Sequence, residues 1–127
     1  MIKGRKLDHM GLPVTGLEAN KQWYCDVLGF EVIGHFFDGG VPVYFLKNGD
    51  TVYEMYEEEV PADARGKIDH IAYVSEDIEA DYAYCQKQGY TICTNGIEEI
   101  PSFWEKGCRY FKLLSPNGEQ VEFSQIL

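Results

Sequence analysis

The sequence predicts an α+β domain made of two βαβββ modules, and three observations carry that prediction. Leu7-Asp8-His9-Met10-Gly11-Leu12 and Ile68-Asp69-His70-Ile71-Ala72-Tyr73 repeat one pattern, with the two histidines 61 positions apart in a chain of 127 residues. Each copy runs into a helix-like stretch that ends at a glycine before a new strand, Gly29-Phe30-Glu31-Val32 in one half and Gly89-Tyr90-Thr91-Ile92 in the other. Each half is also too small to bury its own apolar face, so two copies complete one fold between them. The expectation is a single domain over residues 1–127, with module 1 at about 6–58 and module 2 at about 67–126.

Module 1 opens with a strand over about 6–14, ended by Pro13 and Gly16. Thr15 is placed to cap a helix over about 17–28, with Glu18 three residues on as in a capping box. Leu17, Trp23, Tyr24, Val27 and Leu28 form its apolar stripe, and Gly29 stops it. Strand-like runs follow at about 30–38, 41–48 and 51–58, joined by Asp38-Gly39-Gly40 and by Asn48-Gly49-Asp50, a strong hairpin signal. Module 2 repeats the order: a strand over about 67–75, a helix over about 77–88, and strands near 90–94, 108–115 and 119–126, with Pro116-Asn117-Gly118 as the last turn. Residues 57–66 read as a polar connector. The least regular segment, 95–107, carries Phe103 and Trp104, which either cover a pocket or pack against the sheet edge.

Composition narrows the function. A hydrophobic fraction of 45% and an aromatic fraction of 14% are those of a globular protein. No 18-residue apolar run or leader-like segment is present, so no membrane association and a cytoplasmic location are expected. A formal net charge of −10 argues against nucleic acid and anionic membrane surfaces as partners. Cys25, Cys85, Cys93 and Cys108 have neither paired nor zinc-ribbon spacing and read as thiols of a reduced protein.

The candidate chemistry lies in four residues. Strand side chains alternate faces, so His9 shares a face with Leu7, Gly11 and Pro13, while Met10 and Leu12 point beneath the helix. The same rule sets His70 opposite Ile71. In Val52-Tyr53-Glu54-Met55-Tyr56 and in Val121-Glu122-Phe123 the glutamate points away from the helix, between apolar neighbours where an unpaired carboxylate is costly. A divalent cation held by His9, Glu54, His70 and Glu122 compensates both carboxylates and can sit on the axis between the halves. Taken singly, each residue reads as well as an ordinary strand histidine or a solvent-facing glutamate; the signal is the matched pairing. Glu54 follows Gly49 by five positions whereas Glu122 follows Gly118 by four, so the two hairpin turns must differ by a residue, with Glu57 as the fallback ligand. His35 has no counterpart in module 2 and is not expected to be a ligand.

With these residues in hand, the chain resembles the vicinal oxygen chelate superfamily, which includes glyoxalase I, methylmalonyl-CoA epimerase, fosfomycin-resistance proteins and extradiol dioxygenases. The likeness is carried by Leu7–Leu12, by Trp23-Tyr24-Cys25-Asp26-Val27-Leu28-Gly29-Phe30, by Ile68-Asp69-His70-Ile71-Ala72 and by Ser115-Pro116-Asn117-Gly118-Glu119-Gln120-Val121-Glu122-Phe123. It implies the glyoxalase/bleomycin-resistance/dioxygenase fold, a cup-shaped mixed sheet around one divalent metal. The order His, Glu, His, Glu is similar to glyoxalase I (lactoylglutathione lyase), whereas the epimerase usually has Gln at the position of Glu54. Two departures argue against glutathione: Pro13 stands where bacterial glyoxalases carry Arg, and Tyr56-Glu57-Glu58 stands where an Asn is expected.

Mixed nitrogen and oxygen ligation suits Ni²⁺, Co²⁺, Mn²⁺, Fe²⁺ or Zn²⁺. A small-molecule substrate with adjacent oxygens can chelate such an ion, and a neighbouring carboxylate can move a proton between adjacent carbons. By resemblance, Glu122 is the base and Glu54 its symmetric partner. The reading is therefore a metal-dependent lyase or isomerase of glyoxalase type, working as a homodimer. The alternatives are a non-catalytic small-molecule-binding protein of the bleomycin-resistance type, or another enzyme of the superfamily such as an epimerase or dioxygenase.

Overall fold

Apolar and polar side chains alternate along the strands of each half, which buries one face of a sheet beneath a helix and leaves the other face open. The computed structural model describes residues 3–4, 7–59 and 68–127, so most of the connector expected over 57–66 lies outside the described residues. The chain divides into two compact units, Met1–Pro61 and Ala62–Leu127.

The first unit contains β1 (Met10–Val14), α1 (Leu17–Leu28), β2 (Glu31–Asp38), β3 (Val41–Asn48) and β4 (Thr51–Glu57). The sheet order is β1-β4-β3-β2, with β1 parallel to β4 and the remaining pairs antiparallel. Val14, Tyr24, Phe30, Tyr44, Leu46, Tyr53 and Met55 are buried. Tyr24 anchors them from the helix, meeting Phe30 edge-on at 5.7 Å and Tyr53 at 5.6 Å between ring centroids.

The second unit contains β5 (His70–Val74), α2 (Ile78–Gln88), β6 (Glu98–Ile100), β7 (Cys108–Leu114) and β8 (Gln120–Ile126). Its order, β5-β8-β7-β6 with β5 parallel to β8, repeats the first unit strand for strand. Ile78, Phe111, Leu113 and Val121 are buried, and Phe111 stacks on Phe123 at 5.3 Å. The βαβββ reading and the α+β class stand in both halves. Among the described residues no helix is long and apolar enough to cross a membrane.

Two local expectations need correction. Thr15 does not cap α1. The N-cap is Gly16 at φ 89, and the carboxylate of Glu57 on β4 accepts from the backbone N–H of Gly16 (2.9 and 3.1 Å) and of Leu17 (2.9 Å). A cap brought from a distant strand outcompetes the local one because both oxygens converge on the positive end of the helix. Thr15 instead donates to the carbonyl of Glu58, and Glu18 takes the hydroxyl of Tyr44 at 2.6 Å.

The strand expected near 90–94 shrinks to a single bridge between Ile92 and Leu113. Residues 94–97 bend away, with Gly96 at φ 68, and the chain rejoins the sheet as β6 inside the segment read as irregular. The turn-forming Thr94-Asn95-Gly96 breaks the edge strand in two. Phe103 and Trp104, 54% and 70% exposed, do not pack into the edge of their own sheet.

Candidate functional site

β-Sheet register brings the repeated residues into matched positions. Gly11, two residues after His9, pairs with Glu54 across β1 and β4; Ala72, two residues after His70, pairs with Glu122 across β5 and β8. The different spacing from the turn glycines has a visible cause. β3 and β4 close with the two-residue turn Gly49-Asp50, since Asn48 pairs with Thr51. β7 and β8 close around Pro116-Asn117-Gly118, sealed by Ser115 N–H to Glu119 carbonyl at 2.9 Å. Gly49 is the first residue of its turn and Gly118 the last of its own, so each glutamate stands four positions past the end of its turn, and Glu54 and Glu122 both project from the face away from their helix.

Each histidine is held from behind by the aspartate that precedes it. His9 Nδ1 lies 2.6 Å from Asp8 Oδ2, and His70 Nδ1 lies 3.0 Å from Asp69 Oδ2. A carboxylate at Nδ1 takes the N–H there and turns the Nε2 lone pair outward, the orientation a metal-binding imidazole needs. In module 2, His70 Nε2 then meets Glu122 Oε2 at 3.3 Å. An Nε2–H donates to this carboxylate, whereas with the proton on Nδ1 the two lone pairs converge where a cation could bind. In module 1, His9 packs edge-on against Phe45 at 5.5 Å, and Phe45 is the cross-strand partner of Glu54.

The structure thus brings His70 and Glu122 into contact, while His9 and Glu54 share Phe45 as a neighbour. Among the described residues no group of three or more His, Cys, Asp or Glu side chains is arranged to hold an ion. The donor set of these pairs, two outward Nε2 atoms and two carboxylates, fits a divalent cation. Glu57, the fallback ligand, has both oxygens engaged at the N-terminus of α1. His35 lies on the helix side of its sheet, stacked on Tyr44 at 4.3 Å.

The surroundings of the two pairs differ. Glu54 borders a concavity of about 380 Å³ walled by Phe36, Phe37, Val43, Phe45 and Tyr56. Gly34 gives Phe36 the room to lie across the sheet, because a Cβ there would come within 2.6 Å of the Phe36 ring. Around Glu122 the open face carries Lys112 as its cross-strand partner, Gln120 and Tyr110. Burial, and then the nearby carboxylates of Glu98 and Glu122, raise the Tyr110 hydroxyl above its ordinary pKa. Sequence reasoning missed Lys112. Its signal was the one used for the glutamates, a charged residue between apolar neighbours in Tyr110-Phe111-Lys112-Leu113-Leu114.

Paired βαβββ modules, each ending in a strand that turns a glutamate toward the same face as a histidine, set the class of fold to which the chain is to be compared. The chain matches the glyoxalase/bleomycin resistance protein/dioxygenase superfamily over residues 6–123 and belongs to it. It is 33% identical over 130 residues to the uncharacterized protein YwbC of Bacillus subtilis (strain 168), covering 95% of this chain and 98% of that one. Among solved structures, a glyoxalase family protein from Enterococcus faecalis shares the fold with a TM-score of 0.77 at 23% identity, over 95% of this chain and 98% of the other. The fosfomycin resistance protein FosX from Listeria monocytogenes, complexed with Mn(II) and sulfate, does so with a TM-score of 0.71 at 16% identity, over 100% and 95% of the two chains.

Proposed function

We propose that this protein is a divalent-metal-dependent enzyme of glyoxalase type, with His9, Glu54, His70 and Glu122 as the ligands of one ion per chain. The observation that carries the reading is the contact of His70 Nε2 with Glu122 Oε2 at 3.3 Å while Asp69 holds Nδ1, together with the same Asp-His pair repeated at His9. A fold relative complexed with Mn(II) supports it. The ion is drawn from Ni²⁺, Co²⁺, Mn²⁺, Fe²⁺ or Zn²⁺, and the site is completed either within one chain or by exchange of modules in a homodimer. A light-scattering mass near 29 kDa, twice the 14.5 kDa chain, is expected; a single-chain mass at micromolar concentration contradicts the dimer.

When bound, the ion stabilises negative charge developing on a carbonyl oxygen of a substrate with adjacent oxygens. The protein's own part is proton movement. Glu122 Oε2, at the substrate side of the His70 imidazole, accepts a proton from the carbon beside the carbonyl and returns it to the next carbon, and Glu54 is its partner from module 1. Asp8 and Asp69 keep the two imidazoles oriented throughout. The reaction class is proton transfer or isomerisation of a small carbonyl compound, in the cytoplasm. The first substrate to try is the methylglyoxal–glutathione hemithioacetal, although Pro13 and Glu57-Glu58-Glu59 disfavour its anionic glutathione part.

The test is a screen of α-oxoaldehyde–thiol adducts with metal-loaded protein, followed by Glu122→Gln on the compound turned over. An amide still ligates weakly but accepts no proton, so turnover falls by about 10²- to 10⁴-fold. Wild-type turnover in the metal-loaded variant contradicts the mechanism, while inactivity on the glutathione adduct alone removes only that substrate. The aromatic concavity beside Glu54 favours a second reading, a bleomycin-resistance-type protein that holds an apolar molecule without chemistry. That function needs no metal, and a protein that binds ligands with full affinity in excess chelator would establish it.

A further inference from the structure

Lys112 stands directly across the strand pair from Glu122, at the position that Phe45 occupies opposite Glu54 in module 1. Glu122 is its one charged neighbour among the contacts described, and that pair is long. Phe111 and Leu113 on either side are buried against α2, so Lys112 points to the open face, with its side chain 18% exposed. Among the described residues its ammonium has Gln120 Oε1 at 3.5 Å, Glu122 Oε2 at 3.9 Å and the Tyr110 ring centroid at 5.9 Å. Both oxygens lie at the outer limit of a hydrogen bond or ion pair, so a group with three N–H donors is left without a close acceptor.

An ammonium in this position also works against the ligand pair if its role is purely structural. It would compete with a bound cation for Glu122, since two positive centres sharing one carboxylate repel each other. The arrangement becomes favourable when an anionic group is present to bridge the two charges. Of the other described cations of module 2, Arg109 pairs with Glu79 of α2 on the helix side, and Lys87 lies in the last turn of that helix.

We infer that Lys112 is the anchor for an anionic oxygen group of the bound molecule, a carboxylate or comparable oxyanion placed beside the oxygens that chelate the ion. The inference rests on the metal reading above and deepens it by naming the substrate class: small, with vicinal oxygens and one anionic end received by module 2. Lys112 acts as a fixed charge that determines specificity and takes no proton in the reaction.

The probe is oxalate, a small dianion with vicinal oxygens, titrated against Mn²⁺-loaded protein and read by the relaxation of water protons around the ion. Mn²⁺ affinity is measured first for wild type, Lys112→Met, Lys112→Gln and Lys112→Arg. The expected result is that Mn²⁺ binds Lys112→Met and Lys112→Gln as tightly as wild type or tighter, while oxalate binds them about 10- to 100-fold more weakly. Lys112→Arg, which keeps the charge, retains oxalate binding above either neutral variant. Unchanged oxalate affinity in both neutral variants, with Mn²⁺ bound, overturns the assignment of Lys112 and leaves the metal site standing. Failure of wild type to bind Mn²⁺ or any of the other candidate ions overturns the metal reading and this inference with it.

Discussion

The open faces of the two modules share a backbone and a histidine and glutamate at matched positions, but little else. Opposite the glutamate stands Phe45 in module 1 and Lys112 in module 2; beside it stand Val43 and Tyr56 in one, Tyr110 and Ser124 in the other. The helix faces differ less. Tyr44 and Phe111, Leu46 and Leu113, Tyr53 and Val121 occupy matching buried positions. Duplication has kept what forms the sheet and orients the imidazole, and has let the open faces diverge into an aromatic half and a polar, cationic half. Under the proposed function, ligation is common to both modules and discrimination between substrates is divided between them.

The largest test of that division concerns the part held in common. Asp8→Asn and Asp69→Asn each weaken the hold on Nδ1, and each is expected to lower metal affinity by about 10- to 100-fold in a chelator-competition titration. An effect confined to one module would break the equivalence of the two histidines. A smaller effect is expected at the helix starts. Glu57 caps α1, and the matching Gln125 accepts from the Ile78 N–H at 3.0 Å. Glu57→Ala is expected to destabilise by about 1 kcal/mol in urea unfolding, and Gln125→Ala by less, because a neutral amide gains nothing from the charge at the helix end.

The smallest effect separates the modules by pH. Glu18 and Glu79 are the second residues of their helices; Glu18 reaches the Tyr44 hydroxyl and Glu79 reaches Arg109. The Tyr44 hydroxyl, aided by Lys21, holds the Glu18 carboxyl below its ordinary value of 4.5. A depressed carboxyl stabilises the fold above its unfolded value, and that contribution is lost as pH falls through the folded value. The stability gap between wild type and Tyr44→Phe should therefore be widest near neutral pH and narrow below about pH 4.5. A gap that does not change with pH would remove the charged hydrogen bond from the account.

Much of this was legible in the sequence because it repeats. The His-containing strand, the helix that ends at glycine and the hairpin before each glutamate follow from periodicity and turn chemistry, and the glutamates come into register because Gly49 opens its turn whereas Gly118 closes its own. The cap on α1 was not legible, since Thr15 and Glu18 satisfy the local rule while Glu57 arrives from a strand 41 positions away from Gly16. The broken edge of module 2 was hidden for a similar reason: Thr91-Ile92-Cys93 has strand composition, but Asn95-Gly96 turns the chain before a ladder can form. Lys112 was passed over because a lone lysine in a strand is ordinarily a solvent-facing residue, and only its cross-strand partner gives it meaning.

The central claim is that the two modules together hold one divalent ion, and metal stoichiometry tests it most directly. Elemental analysis of purified, desalted wild-type protein should give about one equivalent of a single transition metal per chain, and His9→Ala, Glu54→Ala, His70→Ala and Glu122→Ala should each lower the affinity by orders of magnitude. Full metal content in the His70→Ala and Glu122→Ala proteins would contradict it.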